Sequence, residues 1–182
     1  MEQLLLISSI ALWIFSLLHF LITLALIRRQ NKAGSADFEN AMNLPTLEPG
    51  KPAPDFMAET LDGAKKTLED YVSKNIAFIF FSSTCKPCRD KLITLDKLQF
   101  KAQNAGIELL LVCLDDRLKT QAFMQEIGSS LPVLVAPMEN NSFMNDYKVN
   151  VTPSFCLMDQ HGNVQLAGVM DSKWDAVVAE WN

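Results

Sequence analysis

The sequence predicts an α/β domain, a mixed central sheet flanked by helices, preceded by one apolar N-terminal helix. Three observations carry that expectation. From about residue 50 onward, short apolar runs alternate with longer stretches of helical period, the pattern of a sheet with crossover helices. Residues 76–81, Ile-Ala-Phe-Ile-Phe-Phe, are apolar without alternation, as in a strand buried on both faces. Residues 4–27 contain no Lys, Arg, Asp or Glu.

A length of 182 residues accommodates one domain of ordinary size and one further segment. The formal charge of −5 is uneven: from residue 33 onward there are 13 basic and 20 acidic residues, a balance of −7. That acidic surface argues against a nucleic-acid partner. Of the four cysteines, two lie close together and two stand alone in apolar runs, which suggests one reactive pair and not a disulfide-stapled scaffold.

Residues 1–3 form an N-terminal tip and residues 4–27 read as a transmembrane anchor. At a helical rise of ~1.5 Å per residue the apolar stretch reaches about 36 Å, enough to cross a hydrocarbon core of roughly 30 Å with some tilt. A cleavable signal peptide would have a shorter apolar stretch, a basic start and small residues at its end, whereas this segment starts Met1-Glu2-Gln3 and ends Arg28-Arg29-Gln30-Asn31-Lys32. His19 inside it reads as a tolerated residue. Residues 28–50, with Gly34, Pro45, Pro49 and Gly50, form a linker, and residues 51–182 form the folded domain.

Within that domain Pro52-Ala53-Pro54-Asp55-Phe56 leads into a short strand ending at Thr60, with a turn at Asp62-Gly63 and a helix cap at Thr67. The strand at 76–81 is followed by a helix over about 86–105, with Leu92, Leu95, Leu98 and Phe100 at roughly helical spacing and Gly106 as its stop. A second buried strand covers 107–114, and an amphipathic helix covers 118–127 before Gly128. The remaining expectations are a strand at 133–136, a helix near 142–147, strands at 154–158 and 164–169 joined by a Gly162-Asn163 turn, and a last helix at 173–181. Helices are thus expected on both faces of a sheet finished by an antiparallel hairpin.

The chemistry is expected at Cys85-Lys86-Pro87-Cys88, where the buried strand turns into a helix. Residues three apart share a helix face, so the two sulfurs can reach bonding distance. Cys85 at the helix start meets unpaired N–H groups and the positive end of the helix dipole, which favour a thiolate and make it the attacking group. Pro87 fits the first turn, where a missing N–H costs no helical bond. Cys88, deeper in, is the resolving thiol. Lys86, Arg89 and Lys91 either support the thiolate or form a solvated face.

A zinc or copper-chaperone site would use the same cysteines, yet zinc wants about four ligands and the chain has no second C-x-x-C. A peroxidase of the peroxiredoxin kind would want a proline where Phe78 stands. The chemistry of a dithiol calls for no cofactor and no metal. A non-catalytic binding module remains the competing class.

The run Phe80-Phe81-Ser82-Ser83-Thr84-Cys85-Lys86-Pro87-Cys88-Arg89 resembles the thioredoxin-like proteins of the TlpA and ResA type. The likeness extends to Pro52-Ala53-Pro54-Asp55-Phe56, Val151-Thr152-Pro153 and Asp159-Gln160-His161-Gly162-Asn163, and spans roughly residues 50–182. The Phe-Ser-Ser-Thr-Cys lead is similar to the MauD-like branch, which is associated with methylamine dehydrogenase maturation. The resemblance implies a thioredoxin-like fold and thiol:disulfide exchange with protein substrates, the pair being recharged by a membrane-bound redox partner. It further implies that Pro153 is a cis-proline across from the redox pair, 68 residues after Cys85. Thr152 would then offer its backbone to an incoming peptide. Ile79 stands where thioredoxin has a buried carboxylate, Lys91 where ResA-like proteins carry a glutamate, and Phe81 and Thr84 where thioredoxin has tryptophans. The general base for Cys88 is therefore left open. Cys113 and Cys156 read as core cysteines, separated by the central strand and beyond disulfide reach.

For topology, two arguments collide. Arg28, Arg29 and Lys32 favour a cytoplasmic domain. The resemblance implies work on the oxidising side of a bacterial membrane, and it carries the expectation: an extracytoplasmic, periplasmic-side domain handling exported proteins.

Overall fold

The computed structural model describes residue 3, residues 12–23 and residues 46–181, which fall into two compact units, Met1–Leu44 and Pro45–Asn182. In the first unit residues 12–23 are helical (α1), and Leu12, Trp13, Phe15, Leu18 and Phe20 are all exposed. Much of the expected span at 4–27 lies outside the described residues, and no helix among the described residues is long and apolar enough to cross a membrane.

The second unit is built on one seven-stranded sheet. Its strands are β1 (Met57–Thr60), β2 (Lys65–Thr67), β3 (Asn75–Phe81), β4 (Ile107–Cys113), β5 (Val133–Val135), β6 (Ser154–Met158) and β7 (Val164–Val169). Their order is β2-β1-β5-β4-β3-β6-β7. The helices are α2 (Lys86–Asn104), α3 (Arg117–Ile127), the single turn α4 (Phe143–Asp146) and α5 (Ser172–Ala179). Strands β3, β4 and β5 are parallel, joined by α2 and α3, while β6 and β7 complete the sheet as an antiparallel hairpin beside β3.

Period-two alternation divides β3 between two cores. Ile76, Phe78 and Phe80 enter one, and Ala77, Ile79 and Phe81 enter the other, so every second side chain is taken by the opposite layer. This is why the run is apolar throughout. Helices α2, α3 and α5 cover the second face with Cys88, Leu92, Leu95, Phe123 and Trp174.

The first face meets the expectation of helices on both sides only with short turns. It is covered by the single turn of α4, a 3-10 turn at Leu68–Asp70 and the irregular entry segment carrying Leu47, Ala53 and Phe56. Large aromatics take the place of long helices there. Phe56 stacks on Phe143 at 4.0 Å between ring centroids, and Phe78 meets Phe56, Tyr71, Phe143 and Tyr147 edge-on. The Tyr147 hydroxyl donates to the Pro54 carbonyl at 3.0 Å, and burial raises its pKa.

Local expectations are met and corrected at identifiable residues. Gly106 (φ 72°) and Gly128 (φ 68°) adopt the left-handed conformation that ends α2 and α3. Thr67 does start a helical turn, a short 3-10 one, with its N–H donating to the Asp70 carboxylate at 2.9 Å. Phe100 is not a core residue: it is 72% exposed, because it lies five positions after Leu95, and Ala102 fills the buried place instead. Strand β2 had no sequence expectation. Its residues Lys65, Lys66 and Thr67 are polar, and it exists as an edge strand paired to β1.

Candidate active site

The site forms at the carboxyl end of β3, where the strand leaves the sheet through Ser82-Ser83-Thr84 and enters α2 at Cys85. Cys85 is the N-cap of α2, Pro87 lies in the first turn, and Cys88 occupies the next buried position. The two cysteines form a disulfide, with their Cα atoms 5.3 Å apart. Cys88 is fully buried in the α2 layer, whereas Cys85 is half-buried. The Cys88 N–H donates to Cys85 Sγ at 3.2 Å, one of the unpaired donors of the helix start directed at the outer sulfur.

Across from the pair, the Thr152–Pro153 peptide bond is cis. Cys85 Sγ lies 3.4 Å from the Thr152 carbonyl oxygen, so the loop before β6 and the start of α2 meet at the outer sulfur. The four residues singled out from the sequence, Cys85, Cys88, Thr152 and Pro153, are therefore brought together, although 67 positions separate Cys85 from Thr152. Two of the flanking cations are engaged elsewhere. Arg89 pairs with Glu126 at 2.8 Å and lies over the Phe123 ring, and Lys91 approaches Asp175 at 3.5 Å. Lys86, exposed at the first helical position, is the cation next to Cys85 in sequence.

One residue of the site had no sequence expectation. Asp115, just past β4, accepts hydrogen bonds at Oδ2 from the Ser83 N–H (2.6 Å) and the Ser82 hydroxyl (3.0 Å). A signal was present: the Asp115-Asp116 pair follows an apolar strand immediately, and the carboxyl ends of neighbouring parallel strands converge on one edge of the sheet.

Cys113 and Cys156 are both free and buried. Their strands, β4 and β6, lie on either side of β3, and the two side chains enter opposite cores. Burial pushes the Cys113 thiol up to about 11 and the Cys156 thiol up to about 12, so both are protonated near neutral pH. After reduction of the native protein, a maleimide at pH 7 is expected to label Cys85 within minutes and Cys113 and Cys156 only when denaturant is added. Peptide mapping of the labelled sites checks this, and rapid native labelling of either core cysteine would contradict it. Among the described residues no cluster of three or more His, Cys, Asp or Glu side chains is arranged to hold a metal ion.

Residues 49–167 match the model of the AhpC/TSA family. The chain belongs to the AhpC/TSA family. The chain is 29% identical over 117 residues to a thiol-disulfide oxidoreductase ResA of Geobacillus thermodenitrificans, a match covering 64% of this chain and 66% of that relative's length. It is 29% identical over 123 residues to the thioredoxin-like protein YneN of Bacillus subtilis, covering 65% of this chain and 70% of the relative. Among solved structures, a thiol:disulfide interchange protein from a Bacteroides species superposes with a TM-score of 0.64 at 20% identity, covering 75% of this chain and 91% of that one. This AhpC/TSA member thus has the thioredoxin-like fold, and its likeness to ResA bears out the resemblance to the TlpA and ResA type.

Proposed function

We propose that this AhpC/TSA protein is a membrane-anchored thiol:disulfide oxidoreductase that exchanges a disulfide with protein substrates through Cys85 and Cys88. The observation that carries the reading is the Cys85–Cys88 disulfide at the start of α2, with one sulfur half-exposed beside the Thr152 carbonyl and the other buried. The relatives named thiol-disulfide oxidoreductase support it.

In the reducing direction the Cys85 thiolate attacks one sulfur of a substrate disulfide. A Cys85–substrate disulfide forms, and the second substrate sulfur leaves as a thiolate that takes up a proton. The Cys88 thiol then loses its proton and attacks Cys85 Sγ, releasing the first substrate sulfur and restoring the Cys85–Cys88 bond. Two electrons pass to the substrate, and a redox partner at the membrane supplies two more that reduce the Cys85–Cys88 bond again. The oxidising direction runs the same steps backward. The Cys88 N–H that donates to Cys85 Sγ stabilises the anionic sulfur in the reduced state. The Thr152 backbone supplies an edge along which an extended substrate segment can lie. Reduction of insulin by dithiothreitol in the presence of catalyst tests the reading: wild type should accelerate it, and Cys85→Ser should act no faster than buffer. Equal activity of the two proteins would leave a non-catalytic binding module as the better description.

The anchor and its side belong to the same proposal. The apolar segment 4–27 and the exposed apolar side chains of α1 support insertion in a bilayer. The domain is placed on the periplasmic side of a bacterial inner membrane, acting in the maturation of exported proteins. Alkaline phosphatase fused after Asn182 is expected to be active in intact cells. Activity of a cytoplasmic reporter alone would reverse the placement and turn the substrate class into cytoplasmic thiols.

A further inference from the structure

We propose that Asp115 is the positioning residue for Cys85: its carboxylate fixes the short turn that carries the nucleophilic sulfur from the end of β3 to the start of α2. The inference rests on the reading of Cys85 as the attacking thiol. A hydroxyl has one proton, and the direction of the hydrogen bonds follows from that. If Ser82 spends its proton on Asp115 Oδ2 (3.0 Å), the Thr84 hydroxyl must donate to Ser82 Oγ (3.0 Å). The same Ser82 oxygen also takes the Thr84 N–H at 3.3 Å, and the Ser82 carbonyl takes the Cys85 N–H at 3.1 Å. The Ser83 N–H goes to Asp115 itself at 2.6 Å. Three consecutive backbone donors, those of Ser83, Thr84 and Cys85, are therefore satisfied by Asp115 or by the serine it orients.

Asp115 is in turn held by the sheet. The Leu114 N–H donates to the Phe81 carbonyl at 3.0 Å, and the Met138 N–H donates to the Leu114 carbonyl at 3.1 Å. The carboxylate thus ties the redox turn to β4 through charge-assisted bonds, which are stronger than neutral ones. Without it, a half-buried N–H and a half-buried hydroxyl lose their acceptor, and the turn is free to relax. Relaxation would disturb the contact that prepares the Cys85 thiolate, the 3.2 Å approach of the Cys88 N–H.

Charge and geometry predict opposite outcomes here. A nearby anion disfavours a thiolate, so removing the charge alone should make Cys85 more reactive. Asp115→Asn removes the charge while leaving an amide oxygen able to accept both hydrogen bonds, because the carboxylate uses one oxygen for both. Asp115→Ala removes the charge and the acceptor together.

The experiment is the rate of iodoacetamide alkylation of Cys85 in the reduced whole chain at pH 7, followed by mass spectrometry. Asp115→Ala is expected to slow it by about tenfold, the loss of thiolate that follows when the hydrogen bond from the Cys88 N–H to the charged sulfur is weakened. Asp115→Asn should react at the wild-type rate or faster, and Ser82→Ala should fall between Asp115→Ala and wild type. Asparagine slowing the reaction as much as alanine would overturn the proposal. So would an unslowed Asp115→Ala whose circular dichroism and thermal unfolding match wild type. If Asp115→Ala fails to fold, Ser82→Ala decides the matter, an unslowed rate overturning the proposal. Alkylation needs no protein substrate, so a failed insulin assay and a failed positioning role remain distinguishable.

Discussion

Cys88→Ser is expected to turn a turnover catalyst into a covalent trap. The Cys85 thiolate can still attack a substrate disulfide, but a serine hydroxyl at position 88 is not ionised at neutral pH and cannot break the resulting bond. The mixed disulfide should appear on non-reducing gels as a band that dithiothreitol removes, with turnover lower by at least about a thousandfold, in the range seen when a member of a catalytic group is deleted. Cys85→Ser should show no such band. Burial argues for this assignment of roles, because Cys88 is 0% exposed and an external disulfide has no path to it. A band that depends on Cys88 in the Cys85→Ser protein would reverse the assignment.

The second large effect concerns stability. Phe78→Ala removes a fully buried ring from the centre of β3, where Phe56, Tyr71, Phe143 and Tyr147 surround it. The neighbours are themselves large and rigid, and the face they cover lacks a long helix that could shift inward. A loss of about 3–5 kcal/mol is expected, measured as a drop in unfolding free energy in urea with an unchanged slope. Phe100→Ala is the matched control. Its ring is 72% exposed, and the substitution should stay within about 0.5 kcal/mol of wild type. Similar losses at both positions would mean that the aromatic layer is not what holds the first face of the sheet.

The part of the fold that was legible in the sequence was the part fixed by local rules. The boundaries of β6 and β7 follow from apolar runs interrupted by a Gly162-Asn163 turn, and the ends of α2 and α3 follow from glycines that accept a positive φ. Strand β2 was illegible because an edge strand needs neither apolar residues nor alternation: it is a pairing supplied by β1. The part played by aromatic packing on the first face was also illegible. Periodicity reports that a residue is buried but not what buries it, and the aromatics at Phe56, Phe143 and Tyr147 gave no sign that they would serve in place of a long helix.

The candidate site divides along the same line. Cys85 and Cys88 were legible because their chemistry depends on a spacing of three within one helix turn. Pro153 was reached through resemblance to the TlpA and ResA type and not through any local rule. Asp115 was missed because its role depends on two strands being neighbours, and adjacency of β3 and β4 is a property of the sheet.

The separation of Cys113 from Cys156 by β3 also bears on how the chain acquires its disulfide. In an unfolded chain each of the four cysteines can couple with any of the others. Folding acts as the filter: it seals one thiol in each core layer and leaves a single permitted partner for Cys85. A chain in which Cys113 or Cys156 is oxidised before it folds would be locked out of its native core, whereas one with an early Cys85–Cys88 bond would not. Productive biogenesis therefore requires the Cys113 and Cys156 thiols to stay reduced until the sheet has closed over them.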